Sequence, residues 1–225
     1  EIMFENLSIQ KKMNYLILMV TTSVFGAAIF VFIAMMHIET RYAHLHENSM
    51  QGALETLQIE KNLNYVSRTT RDILLGGDYD KNIKKLNESI EKIRELFTSL
   101  ETMMANDKSF VMVKDAKNST MEFLDNSFSM MKSLSSSEIK NNKDALFHRY
   151  KTELTPFANA SRTTFKKLSE FKNSELTKDS ASLADEINFY KILVLAAGTL
   201  CAIIILVLAT LLRKSITSGI KDFTS

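Results

Sequence analysis

The hydrophobic positions fall into two kinds of pattern. Two runs are apolar on every face: residues 13–36, MNYLILMVTTSVFGAAIFVFIAMM, and residues 192–212, ILVLAAGTLCAIIILVLATLL, neither containing a charge. A bilayer core of about 30 Å takes about 20 helical residues at about 1.5 Å each, so both are long enough to span it. The first is also too long for a signal-peptide core of about 7–15 residues. Between the runs the apolar residues become periodic. Ile83, Leu86, Ile90, Ile93, Phe97, Leu100 and Met104 alternate steps of three and four, the seam of a helix packed on other helices. A weaker seam follows through Phe110, Val113, Lys117, Thr120, Leu124, Ser127, Met131 and Leu134.

The breaks between seams carry turn and cap signals. Gly76-Gly77-Asp78 reads as a helix C-terminus and turn, with glycine taking the left-handed position. Asn106-Asp107 offers candidate N-caps, and Ser135 with Glu138 fits a capping box. These predict helices at 37–75, 79–105, 107–134 and 138–190. Their short connections force antiparallel neighbours, so the expected fold is all-α: an up-down four-helix bundle flanked by two transmembrane helices. The organisation is then 1–12, an N-terminal segment; 13–36, the first span; 37–190, the bundle; 191–212, the second span; and 213–225, a following linker. Pro156 either starts a shorter helix behind a Thr155 cap or kinks one long helix, and the kink is the favoured reading.

The first outer helix has two stripes. Ile59, Leu63, Val66, Thr70 and Ile73 can face the core. Met50, Leu54, Leu57, Lys61, Asn64, Arg68, Arg71 and Leu75 follow the same stepping on another face, apolar at first and then polar and basic. An extra stripe asks for an extra partner, and the simplest is a second copy, giving a parallel homodimer.

Charge orients the chain. Lys11 and Lys12 precede the first run, and Arg213, Lys214 and Lys221 follow the second; only Arg41 and Lys191 flank the runs on the other side. The positive-inside rule puts both ends in the cytoplasm and residues 37–190 outside. A net charge of +2 without a basic stripe gives no footprint for nucleic acid. One cysteine excludes a disulfide framework, a Cys-rich zinc site and an iron–sulfur cluster. Six glycines and one proline supply too few turns for a sheet protein, and no phosphate-binding glycine loop is present. His44 and His46 point about 200° apart on a helix, and His37 and His44 share a face without converging carboxylates. No nucleophile–base arrangement stands out. The expectation is a chain that is not an enzyme and uses no metal or cofactor.

The layout of a short start (FENLSIQKKM), a span, a helical outer domain, a second span and RKSITSGIKDF resembles a bacterial methyl-accepting chemotaxis receptor. The outer part resembles the four-helix-bundle sensor family. RTTRDILLGGDYDKNIKKL and SSSEIKNNKDALFHRYKTELTPF resemble that family's first and last inter-helix turns, late proline included. The last residues resemble the start of a HAMP linker, departing at Ser218-Gly219, where the family usually has a proline after its Ile-Thr pair.

The resemblance implies the N-terminal part of a receptor in the bacterial inner membrane, with residues 37–190 periplasmic. The output module would lie beyond Ser225 and act on a chemotaxis histidine kinase through a coupling protein. It also implies that arginines from the first outer helix hold a ligand carboxylate or other anion. Arg68 and Arg71, three apart on one face, suit that task because the guanidinium fork binds carboxylates bidentately. Asn64 and Thr69 would add hydrogen bonds, and His148, Tyr150 and Thr152 would complete the pocket from the last helix. The plainer alternative leaves both arginines solvated or paired with Asp72 or with an acid on a neighbouring helix. A ligand-loaded periplasmic binding protein is the other candidate partner. Two rival functions share the layout: the sensor region of a histidine kinase or cyclic-dinucleotide enzyme, and a ligand-free structural membrane bundle.

Overall fold

A computed structural model describes residues 8–224. In chain order the elements are α1 (Ile9–His44), a π-helical turn (Leu45–Met50), α2 (Gln51–Leu74), α3 (Tyr79–Met103), α4 (Phe110–Lys132), α5 (Ser136–Asn141), α6 (Lys143–Arg149), a second π-helical turn (Tyr150–Leu154) and α7 (Thr155–Thr224). Among the described residues there is no strand. The chain divides into two compact units. One is Ala43–Ser180; the other combines residues up to Tyr42 with those from Ala181 onward.

The first unit is an antiparallel four-helix bundle of α2, α3, α4 and the first part of α7. The predicted seam is its core: Leu86, Ile93, Phe97 and Leu100 are fully buried, with Ile59, Val66 and Ile73 of α2 beside them. Phe97 meets Phe165 of α7 edge to face, ring centroids 6.3 Å apart. Two hydroxyl pairs, Thr120–Ser161 at 2.9 Å and Ser119–Thr164 at 2.6 Å, join α4 to α7. The second α2 stripe is left outside, with Met50, Leu54, Leu57 and Leu75 all exposed.

The turns follow their residues. Gly76 takes φ +87°, Gly76 N–H bonds to Ile73 O and Gly77 N–H to Asp72 O, so these two carbonyls in the last turn of α2 are satisfied. Asp78 accepts from Lys81 N at 3.1 Å and starts α3. Both halves of the Ser135–Glu138 capping box are present.

Three boundaries differ from expectation. The first outer helix is interrupted by the turn at Leu45–Met50. The helix expected from 107 begins at Phe110, because Asp107 Oδ1 accepts from Ser109 N and Ser109 Oγ, both at 2.6 Å, and folds the chain into a local turn. The helix expected over 138–190 is broken at Asn142, whose φ of −127° and ψ of 32° are non-helical. Thr155 is itself helical and caps nothing; its N–H bonds to Tyr150 O, five residues back. The helical path therefore runs through Pro156, and the wide turn in front of it absorbs the missing donor.

The second unit holds two helical stretches, one in α1 and one in α7, long and apolar enough to cross a membrane. None of the most apolar stretch of either is buried, unlike the core helix of a soluble protein. Cys201 Sγ lies 3.8 Å from Ser23 O between them. Beyond the apolar stretches, Glu186 forms ion pairs with Arg41 Nε at 3.2 Å and, when the imidazole is protonated, with His37 Nε2 at 3.5 Å, while an Arg41 terminal N–H donates to Ser182 Oγ at 3.3 Å. Parts of the expected N-terminal segment (1–12) and linker (213–225) lie outside the described residues.

Candidate functional site

On α2, Asn64, Arg68 and Arg71 lie along one exposed face, as their spacing requires. Neither arginine has an ion-pair partner among the described residues, so the pairing with Asp72 does not form. Thr69 does not join them. It sits about 100° round the helix from Arg68 and is buried, 3% exposed.

Because α7 runs antiparallel to α2, a groove forms between them, with a cavity of about 340 Å³. Asn64 and Ser67 line it from α2, Arg162 and Lys166 from α7, over a floor of Phe123 and Phe165. Glu60 and Glu170 also line it, and Glu170 pairs with Lys166 at 3.7 Å, both well exposed. Ser161 is tied to Thr120, which fixes the α7 backbone beside Arg162.

Tyr150, the first residue of the second π-helical turn, is partly buried. Burial pushes its phenol above the usual range, and the nearby guanidinium groups of Arg71 and Arg162 offset part of that rise. The structure thus brings one predicted arginine, one predicted tyrosine and an unforeseen arginine into a shared electrostatic neighbourhood. His148 and Thr152 are exposed, and the Thr152 hydroxyl donates to the carbonyls of His148 and Arg149 at 3.0 and 3.2 Å. Arg149 is held by both oxygens of Glu153 at 3.0 Å.

Arg162, Lys166 and Ser67 were missed in the sequence. A signal was available: Arg162 and Lys166 are four apart and share a face. Choosing that face required the rotational phase of α7, and an unbroken helix from 138 puts every later residue out of phase. Among the described residues no group of three or more His, Cys, Asp or Glu is placed to hold a metal ion. No family model, no curated protein and no solved structure matches this chain.

What the site can do follows from its charges. Two guanidiniums on different helices, Arg71 on α2 and Arg162 on α7, offer planar donor forks, and both lie near enough to the Tyr150 phenol to act on it. That suits a carboxylate or another small oxyanion. The size of the groove suits a small molecule.

Proposed function

We propose that this chain is the sensing and membrane-spanning part of a chemoreceptor of the methyl-accepting type. In this reading a small carboxylate or similar anion binds near Arg71, Arg162 and Tyr150, with Asn64 and Ser67 of the adjoining groove donating to it and Arg68 on the same α2 face. The observation that carries it is that one helix, α7 (Thr155–Thr224), bears both Arg162 and the uncharged run 192–212. A ligand bridging α2 and α7 favours one position of α7 over another, provided it binds that state better. Helix shifts of about 1–2 Å at packed interfaces are typical of such switches. Residues 37–190 would be periplasmic in a bacterial inner membrane, both ends cytoplasmic, and a second copy would cover the exposed α2 stripe. The signal would pass through the second span and a HAMP-type linker to a histidine kinase and its coupling protein.

The test uses the whole chain in lipid nanodiscs, its thermal stability titrated with inorganic anions and with mono- and dicarboxylates. A bound anion raises the melting temperature by mass action. Arg71→Ala and Arg162→Ala should each weaken that anion at least about tenfold, the scale of a lost charge-assisted hydrogen bond. Unchanged affinity in both variants removes the site. Reporter fusions at mid-chain and at the C-terminus landing on one side of the membrane remove the sensor.

A further inference from the structure

At the other end of the bundle, α7 carries a charge inward. Lys172 has a side chain only 1% exposed. Its stem packs on α2 at Gly52, where a Cβ would stand 3.6 Å from Lys172 Cδ. Its Nζ reaches Met104 Sδ at 2.9 Å, just past the end of α3, and Glu175 Oε2 at 2.6 Å, one turn along α7 itself. Asp107 Oδ1, in the turn between α3 and α4, lies 3.8 Å away.

These acceptors are unequal. A desolvated ammonium needs strong partners, and a thioether sulfur is a weak one. Glu175 travels with Lys172, because both belong to α7, so it says nothing about where α7 stands. Met104 and Asp107 do, because they belong to the α3–α4 connection. The weak acceptor is in contact. The strong one is about 1 Å beyond the ordinary N⁺–H···O⁻ length of about 2.8 Å. Asp107 is anchored in its turn by Ser109 N and Oγ. His44 also lies close enough to act on its charge.

We propose that Lys172 is a two-position latch between α7 and the α3–α4 turn: the Met104 position seen here, and an Asp107 position reached by sliding α7 about 1 Å, within the range of interface helix shifts. Gly52 belongs to the device. A Cβ there would stand 2.9 Å from the Met104 methyl, so the end of that side chain would have to swing away from its place beside the Lys172 stem. The consequence for signalling rests on the sensor reading above; the latch itself is a property of the bundle.

The test compares disulfide formation rates in the full chain in nanodiscs, on a Cys201→Ala background. One pair is Ser119→Cys with Thr164→Cys, whose hydroxyls lie 2.6 Å apart. The other is Ser119→Cys with Lys167→Cys, further along α7. The ratio of the two rates reports the α7 register. Asp107→Asn should hold the Met104 position, whereas Met104→Ala and Gly52→Ala should both drive the ratio the opposite way. The separation should be about twofold or more, the lower end of coupling within one network. In a Lys172→Met background the Asp107 and Met104 changes should no longer separate. Equal ratios in Asp107→Asn, Met104→Ala and Gly52→Ala, all of which keep the lysine, overturn the latch even if Lys172→Met fails to fold. Persistence of the separation without Lys172 overturns it too. Neither result bears on whether an anion binds at Arg71 and Arg162, so the sensor reading stands or falls separately.

Discussion

The two units treat the same side chains in opposite ways. In the bundle Leu86, Ile93 and Phe97 have no exposed surface, whereas in the apolar stretches of α1 and α7 Phe25 and Leu195 are 65% and 74% exposed. Burying one such side chain is worth about 1.5–3 kcal/mol. Scattered exposed leucines are ordinary on a soluble protein. A helix without a charge for some 20 residues, with large apolar side chains exposed along it, is not. The bundle excludes water with its own helices. The two runs need an apolar surrounding supplied from outside, and in the proposed reading a bilayer supplies it.

The contrast is tested most sharply at its two extremes. Phe97→Ala opens a cavity against Phe165 and should destabilise the bundle by about 3–5 kcal/mol in chemical denaturation. Leu195→Ala should leave the same transition unmoved. If Leu195→Ala instead costs as much as Phe97→Ala, then Leu195 has packed partners in the bundle's own folding unit and the contrast fails.

A somewhat smaller effect separates lipid from water around α7. Ile203, mid-run and exposed, becomes a charged residue in Ile203→Arg. At the centre of a membrane helix that change should cost about 3 kcal/mol of insertion. On a solvated surface it would stay within about 0.5 kcal/mol. The measurement is the fraction of chain resisting alkaline extraction from membranes. An undiminished fraction for Ile203→Arg would mean that this helix does not cross the bilayer at that point.

How much of this was legible in the sequence follows from which interactions are local. The seam from Ile83 to Met104 could be read because burial repeats with the helix itself, and all of it except the half-buried Ile83 is buried. The Gly76 turn and the Ser135–Glu138 box were legible because each is closed within a few residues. Asp107 misled, because its side chain serves equally as a cap or as a local turn, and Ser109 two residues on decides between them. In the candidate site, Arg71 was suggested by the family resemblance and its helical spacing and Tyr150 by residue type, and the structure puts the two near each other. Arg162 was not, since its place opposite α2 depends on the Asn142 break and the π-helical turn before Pro156. Lys172 was invisible for the same reason. Nothing in KNSEL marks that lysine as the one facing inward until Gly52, Met104 and Asp107 are brought round it.

The smallest effect probes an exception inside the bundle. Leu57 is 61% exposed, on the α2 stripe with Met50 and Leu54, and so behaves like a residue of the apolar runs while belonging to the soluble-looking unit. If water is its surrounding, Leu57→Gln should change bundle unfolding by no more than about 0.5 kcal/mol. If a second copy is its surrounding, the same substitution should leave unfolding of the isolated subunit alone and weaken subunit association. Energy transfer between donor- and acceptor-labelled chains in nanodiscs, measured against dilution with lipid, distinguishes the two. Loss of transfer at a higher protein-to-lipid ratio for Leu57→Gln than for the wild type places the stripe in a homodimer interface. Identical dilution curves would leave Leu57 facing water, and the rule that large apolar faces here are covered from outside would then hold for the two runs alone.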